Sequence, residues 1–196
     1  MQKDMDRPIP CYVSGKGMYA TATTQDFKVA VIGLLQDSGL GYDTRYRYYQ
    51  RQFPDMAPAQ LARMICDPIE YYDRDWPAWR AAQPAGRDEQ QSVTAFFLER
   101  DSAFRDEARA AIYCFDEAGF GSGVNAMRFI TDGKPLLGFY RRGIEARRVN
   151  LGNVLQLQME YPALVSLHAY ESLEDILPEV RRWLERLAQR NDNECK

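Results

Sequence analysis

Residues 112–140 read I-Y-C-F-D-E-A-G-F-G-S-G-V-N-A-M-R-F-I-T-D-G-K-P-L-L-G-F-Y, and this stretch constrains the fold more than any other. It opens on a short apolar run, 112–115, rich in aromatic side chains, which predicts a buried strand. Residues 116–123 are acidic and then glycine-rich, so the chain turns sharply as it leaves that strand. From Val124 the apolar positions Val124, Met127, Ile130 and partly Phe129 follow a helical spacing. Asp132 and Gly133 stop it, glycine suiting the left-handed residue after a helix. Residues 135–140 predict a second buried strand. Strand, glycine loop, helix and parallel strand make a βαβ unit with a right-handed crossover. In open α/β sheets ligands bind outside the carboxyl ends of the strands, where 116–125 are expected to lie.

The chain has 196 residues, enough for one domain with a real core, and 1–196 are expected to form one, with a divergent insertion around 54–91. Lys plus Arg number 25 against 28 Asp plus Glu, a net charge of −3. That balance argues against duplex nucleic acid as partner and for a small molecule. The opening M-Q-K-D-M-D-R-P has no apolar run behind it and no stretch approaches a membrane span, so a soluble, cytoplasmic protein without membrane partners is expected. Cys11, Cys66, Cys114 and Cys195 form no C-x-x-C pair and read as buried thiols in a reducing compartment. No metal cluster is suggested, and no cofactor is expected.

Upstream, 9–14 (I-P-C-Y-V-S) predict a short strand with Pro10 at its edge or as its first residue, followed by the loop S-G-K-G. Thr23 or Thr24 can cap a helix with Phe27, Ala30, Val31, Leu34 and Leu35 on its apolar stripe, ending at Ser38 and Gly39. The loop's glycines would let N–H groups approach an anion, and the next helix would offer its positive end, although neither established phosphate-loop pattern is matched. Residues 41–53 alternate arginine with tyrosine, as an edge strand protected by charge would. Base stacking on those rings is the other reading. Residues 54–85 predict a helical turn or two at 59–66 within a covering loop or an insertion. Residues 92–109 predict a helix with Phe96, Phe97, Phe104 and Ala108 inward and a solvated Glu99-Arg100-Asp101 face. The four arginines of 141–148 suit phosphate or solvent. Residues 163–168 predict a last strand, with His168 structural. Ser172 and Asp175 cap a final helix with Ile176, Val180, Trp183, Leu184 and Leu187 coreward. The fold class is therefore α/β, a doubly wound, mostly parallel sheet of about five strands, flavodoxin- or Rossmann-like.

Three pieces together, C-Y-V-S-G-K-G-M-Y, L-E-R-D-S-A-F-R-D-E-A-R-A-A-I-Y-C-F and G-F-G-S-G-V-N-A-M-R-F-I-T-D-G-K-P-L-L-G-F, resemble the nucleoside 2-deoxyribosyltransferases and the related 2′-deoxynucleoside 5′-phosphate N-hydrolases. Residues 45–91 show no correspondence. In that family a glutamate in a G-x-G-x-E turn attacks the anomeric carbon, as in a retaining glycosidase. This chain has Asn125 there, a neutral amide and a poor nucleophile. Loops after neighbouring parallel strands open on the same edge, so Ser14, Gly15, Gly17, Gly121, Ser122, Gly123 and Asn125 are expected to line one cleft. The resemblance implies that it binds a nucleoside or nucleotide, with Tyr12, Asp101, Asn150 and Asn153 also binding. It further implies a homodimer with 147–153 near the partner's cleft. The reading is a nucleotide-binding protein that lacks the glutamate chemistry. The alternative is an active N-hydrolase or transferase with a relocated carboxylate, Asp116 or Glu117. A purely structural protein ranks below both, because three glycine-bearing loops converge on one sheet edge.

Overall fold

In the computed structural model, which describes residues 8–17, 20–83, 86, 88–143 and 151–194, the apolar run near residue 112 is the middle strand of a five-stranded sheet. The strands are β1 (Ile9–Ser14), β2 (Gly41–Asp43), β3 (Ala110–Cys114), β4 (Leu136–Arg141) and β5 (Val165–Tyr170). They lie in the order β2-β1-β3-β4-β5 and every neighbouring pair is parallel. This is the doubly wound, flavodoxin- or Rossmann-like architecture expected. The chain moves outward from β1 to β2, then reverses across β1 to β3, so the loops after β1 and β3 part and leave a crevice between them.

The helices are α1 (Ala22–Ser38), α2 (Thr44–Gln52), α3 (Pro58–Cys66), α4 (Pro68–Ala81), α5 (Glu89–Glu107), α6 (Phe120–Thr131), α7 (Leu151–Glu160) and α8 (Leu173–Glu194). Right-handed crossovers put α1 and α8 on one face of the sheet and α5, α6 and α7 on the other. Accordingly α1 packs against α8. Val13, Ile112, Leu137, Ile176, Val180 and Leu184 are fully buried between these layers, each worth roughly 1.5–3 kcal/mol of transfer free energy. Gly138 lets β4 pass under Phe115, since a Cβ there would lie 2.4 Å from that ring. Gly39 ends α1 at φ 67°, and Asp175 accepts from the N–H groups of Glu171 and Ser172 at the start of α8.

Several expectations are corrected. Pro10 is the second residue of β1, an interior strand. Residues 41–53 are strand only at Gly41–Asp43; Thr44–Gln52 are α2. Asp43 decides this, because its carboxylate accepts from the N–H of Arg45 and of Tyr46, the capping geometry that starts a helix. Tyr46 and Tyr49 then fall three apart on a buried face. In the 54–91 segment the helical turns expected at 59–66 are present as α3, but the expected loop around them is largely the further helix α4; α3 packs on α1 and α4 on α5. The Glu99-Arg100-Asp101 face is not free in solvent. Glu99 accepts from the Trp79 indole at 2.9 Å, Arg100 pairs with Asp75 at 3.2 Å, and Asp101 accepts from the Tyr72 hydroxyl at 2.6 Å. All three partners come from α4, so that face fastens α4 to α5. The cap of α1 is Thr21 rather than Thr23 or Thr24. Cys11, Cys66 and Cys114 are buried and free, and Cys195 lies outside the described residues.

Candidate functional site

Where the strand order reverses, a cleft of about 450 Å³ opens between the loops after β1 and β3. Tyr12 and Ser14 come from the end of β1, Gly15, Lys16 and Gly17 from the loop after it, and Gly119, Gly121, Ser122 and Asn125 from the start of α6. Helix α5 contributes Phe97 and Asp101, four residues apart on one face, and α4 contributes Tyr72. The two loops are stitched together, for the Ser122 hydroxyl donates to the Gly15 carbonyl at 2.9 Å. Gly15 is tightly placed: a Cβ would meet the Cys114 carbonyl at 3.1 Å. Tyr12, Ser14, Gly15, Gly17, Asp101, Gly121, Ser122 and Asn125 are thus brought together. Gly123 and Asn153 line a neighbouring apolar groove with Phe115, Phe120 and Val154, and Asn150 lies outside the described residues.

Neither carboxylate of the β3–α6 loop lines this cleft. Glu117 accepts from the Thr21 N–H at 2.9 Å and from the Thr21 and Thr24 hydroxyls, each at 2.8 Å. It caps the N-terminus of α1 from another part of the chain, filling the helix end that the S-G-K-G loop was expected to offer to phosphate. Partial burial disfavours its charge, but the hydrogen bonds from Thr21 and Thr24 outweigh this and hold its pKa below the ordinary glutamate value. Asp116 is buried; it accepts from the Arg141 N–H at 2.7 Å and from the Tyr170 hydroxyl, and pairs with the Arg141 guanidinium at 3.8 Å. Burial, then the nearby Cys114 and Asp116, push the Tyr170 phenol up. Both carboxylates hold β3 to its surroundings. Asp101 is the carboxylate that lines the cleft.

The cations around the cleft were the less legible part of the site. Lys28 is buried at the cleft wall and donates to the carbonyls of Lys16, at 2.5 Å, and Cys66, at 3.4 Å. Burial, then the Arg45 charge, bring its pKa down to about 8. Its sequence signal was a lysine inside the apolar stripe of α1, beside Phe27 and three residues before Val31. Arg45 is buried, stacks over the Tyr12 ring at 4.7 Å and pairs with Asp43 at 3.1 Å. Asn125 accepts at Oδ1 from Arg105 Nη1 at 2.8 Å. Tyr72 reaches the cleft only through tertiary packing, which no local pattern announces. Of the four arginines of 141–148, Arg141 meets Asp116 and Arg142 meets Glu171, while 144–150 lie outside the described residues.

No protein-family model matches the chain, and no curated protein matches it either. Among the described residues no helix is long and apolar enough to cross a membrane, and no three His, Cys, Asp or Glu side chains are grouped to hold a metal ion. Among the described residues the cleft is lined by aromatic side chains at Tyr12, Tyr72 and Phe97, cations at Lys16, Lys28 and Arg45, the carboxylate of Asp101 and the amide of Asn125.

Proposed function

We propose that the chain binds a nucleoside or nucleotide in the β1/β3 cleft and does not cleave the N-glycosidic bond by a carboxylate at position 125. The observation that carries this reading is the composition of the cleft at the point where the strand order reverses. Two glycine-bearing loops line it there, together with the aromatic side chains of Tyr12, Tyr72 and Phe97, the cations Lys16, Lys28 and Arg45, the last of them paired with Asp43, and the carboxylate of Asp101. An amide at position 125 supplies neither a nucleophile nor the negative charge that steadies an oxocarbenium ion. The relocated-carboxylate alternative loses its two candidates, since Asp116 and Glu117 are engaged with β4, β5 and α1. A homodimer belongs to the same proposal. Its support is the apolar groove beside the cleft, where Phe120 is 90% exposed. Light scattering at assay concentration should give twice the chain mass.

The binding test is calorimetry with 2′-deoxynucleosides and their 5′-monophosphates, paired with chromatography for released base. Wild type should bind without turnover, and Asn125→Ala should alter affinity alone. Asn125→Glu should introduce base release, because Arg105 would keep the new carboxylate ionised. Binding of no nucleoside or nucleotide sinks the proposal. Vigorous wild-type turnover that survives Asn125→Ala would favour an enzyme instead.

A further inference from the structure

Arg105 is 5% exposed, and its guanidinium donates to Asn125 Oδ1 at 2.8 Å and to Ser102 Oγ at 2.9 Å. No carboxylate lies within ion-pair distance of it among the described residues. A guanidinium has only donors, so the atom of Asn125 that faces it must be the oxygen. The amide cannot turn over without setting NH2 against guanidinium. The Asn125 NH2 group is left as the free polar end of a half-buried side chain that lines the cleft, with no protein partner among the described residues. A cation bonded to the carbonyl oxygen also polarises the amide and strengthens its NH2 as a donor.

We infer that Arg105 is a positioning residue: it fixes Asn125 so that the cleft presents a hydrogen-bond donor at this place and selects a ligand carrying an acceptor oxygen or nitrogen there. A glutamate in the same position would present only acceptors. Asp101 complements it. Its Oδ1 accepts from the Tyr72 hydroxyl, and the carboxylate keeps further acceptor capacity where Asp101 lines the cleft, one helical turn before Arg105. The pair suits a polar ligand edge with an acceptor beside a donor, such as a sugar hydroxyl or a base edge. This inference rests on the nucleotide-binding reading for the identity of the ligand but not for the orientation of the amide.

The test uses the full chain with 2′-deoxyadenosine 5′-monophosphate and 2′-deoxyadenosine as probes, by calorimetry. Asn125→Asp keeps the shape and turns the donor into an acceptor, so affinity should fall about tenfold or more. Arg105→Met should cost as much as Asn125→Ala, roughly 3- to 10-fold, and should add nothing in the Asn125→Ala background. Arg105→Lys, which still donates to Oδ1, should recover most of the affinity. Unchanged binding in Asn125→Asp or Arg105→Met, or losses that multiply in the double variant, overturns the inference. A probe-free arm follows the Asn125 side-chain amide resonances in asparagine-labelled protein. Arg105→Met should move them and Arg105→Lys should restore them. If wild type binds neither probe but the resonances behave so, the nucleotide reading falls and the orientation stands. If Arg105→Met leaves them unmoved, the orientation falls whatever the probes do.

Discussion

The two loops that wall the cleft are built of similar residues and are used in opposite ways. The loop after β1 is consumed by the protein itself. Gly15 packs against Cys114, the Lys16 carbonyl accepts from buried Lys28, and the helix end that follows is filled by Glu117. The glycines after β3 are left open, for Gly119, the residue before α6, provides no side-chain cap, and a Cβ on Gly119, Gly121 or Gly123 would meet nothing within 4 Å. A glycine loop followed by a helix is thus only half of an anion site. The other half is whether one of the chain's own carboxylates already occupies the helix end.

The comparison breaks first at Lys28. Its pKa is lowered in the folded state, so between about 8 and the ordinary 10.5 the unfolded chain binds more protons, and the Lys28 contribution to stability rises with pH across that window. The full span is about 3 kcal/mol. Buried Cys11 and Tyr113, whose pKa values are raised, act in the opposite direction, so the quantity to measure is wild type minus Lys28→Met in denaturant melts at several pH values. A difference that is flat from pH 8 upward would show Lys28 to be solvated. Next in size, Gly15→Ala should cost about 1–3 kcal/mol by pressing on Cys114. An unchanged midpoint would mean that the first loop is as loose as the second.

Glu117→Ala should cost about 1 kcal/mol, the usual value of a helix cap. Because the Glu117 pKa is lowered on folding, wild type should hold its advantage above the unfolded glutamate range and lose it as pH falls through the folded value. Persistence of the advantage in strong acid would assign it to packing instead. The smallest effect is expected at Gly121→Ala, within about 0.5 kcal/mol of wild type, with any loss confined to ligand binding. Destabilisation there as large as at Gly15 would erase the contrast between the loops.

The sheet was legible because β3, β4 and their glycine-bearing connection carry dense local signals: apolar runs, a sharp turn and a stop at Gly133. Ser14, Gly15 and Gly121 could be placed in one cleft from topology alone, since loops after neighbouring parallel strands open on the same edge. What failed depended on single long-range bonds. The tyrosines of 46–49 favour strand by residue type, and only the Asp43 carboxylate on the N–H groups of Arg45 and Tyr46 tips them into α2. Glu117 read as a catalytic candidate because nothing local shows that Thr21, 96 positions away, is waiting for it. The charges at 99–101 read as solvated because α4, which binds all of them, has no periodic pattern to announce it.

That fastening of α4 to α5 has an optical consequence. Asp101 lines the cleft and accepts from the Tyr72 hydroxyl at Oδ1; Tyr72 lies edge-on to Phe97 at 4.4 Å and to Phe96 at 5.3 Å. Phe96 in turn touches both Trp76 and Trp79, which stack at 5.6 Å, and the Trp79 indole N–H is spoken for by Glu99. Two of the chain's three tryptophans are therefore wired to the cleft wall through one continuous aromatic contact path. A ligand that draws Asp101 away from Tyr72 would change their emission, giving the molecule an intrinsic, label-free fluorescent readout of occupancy.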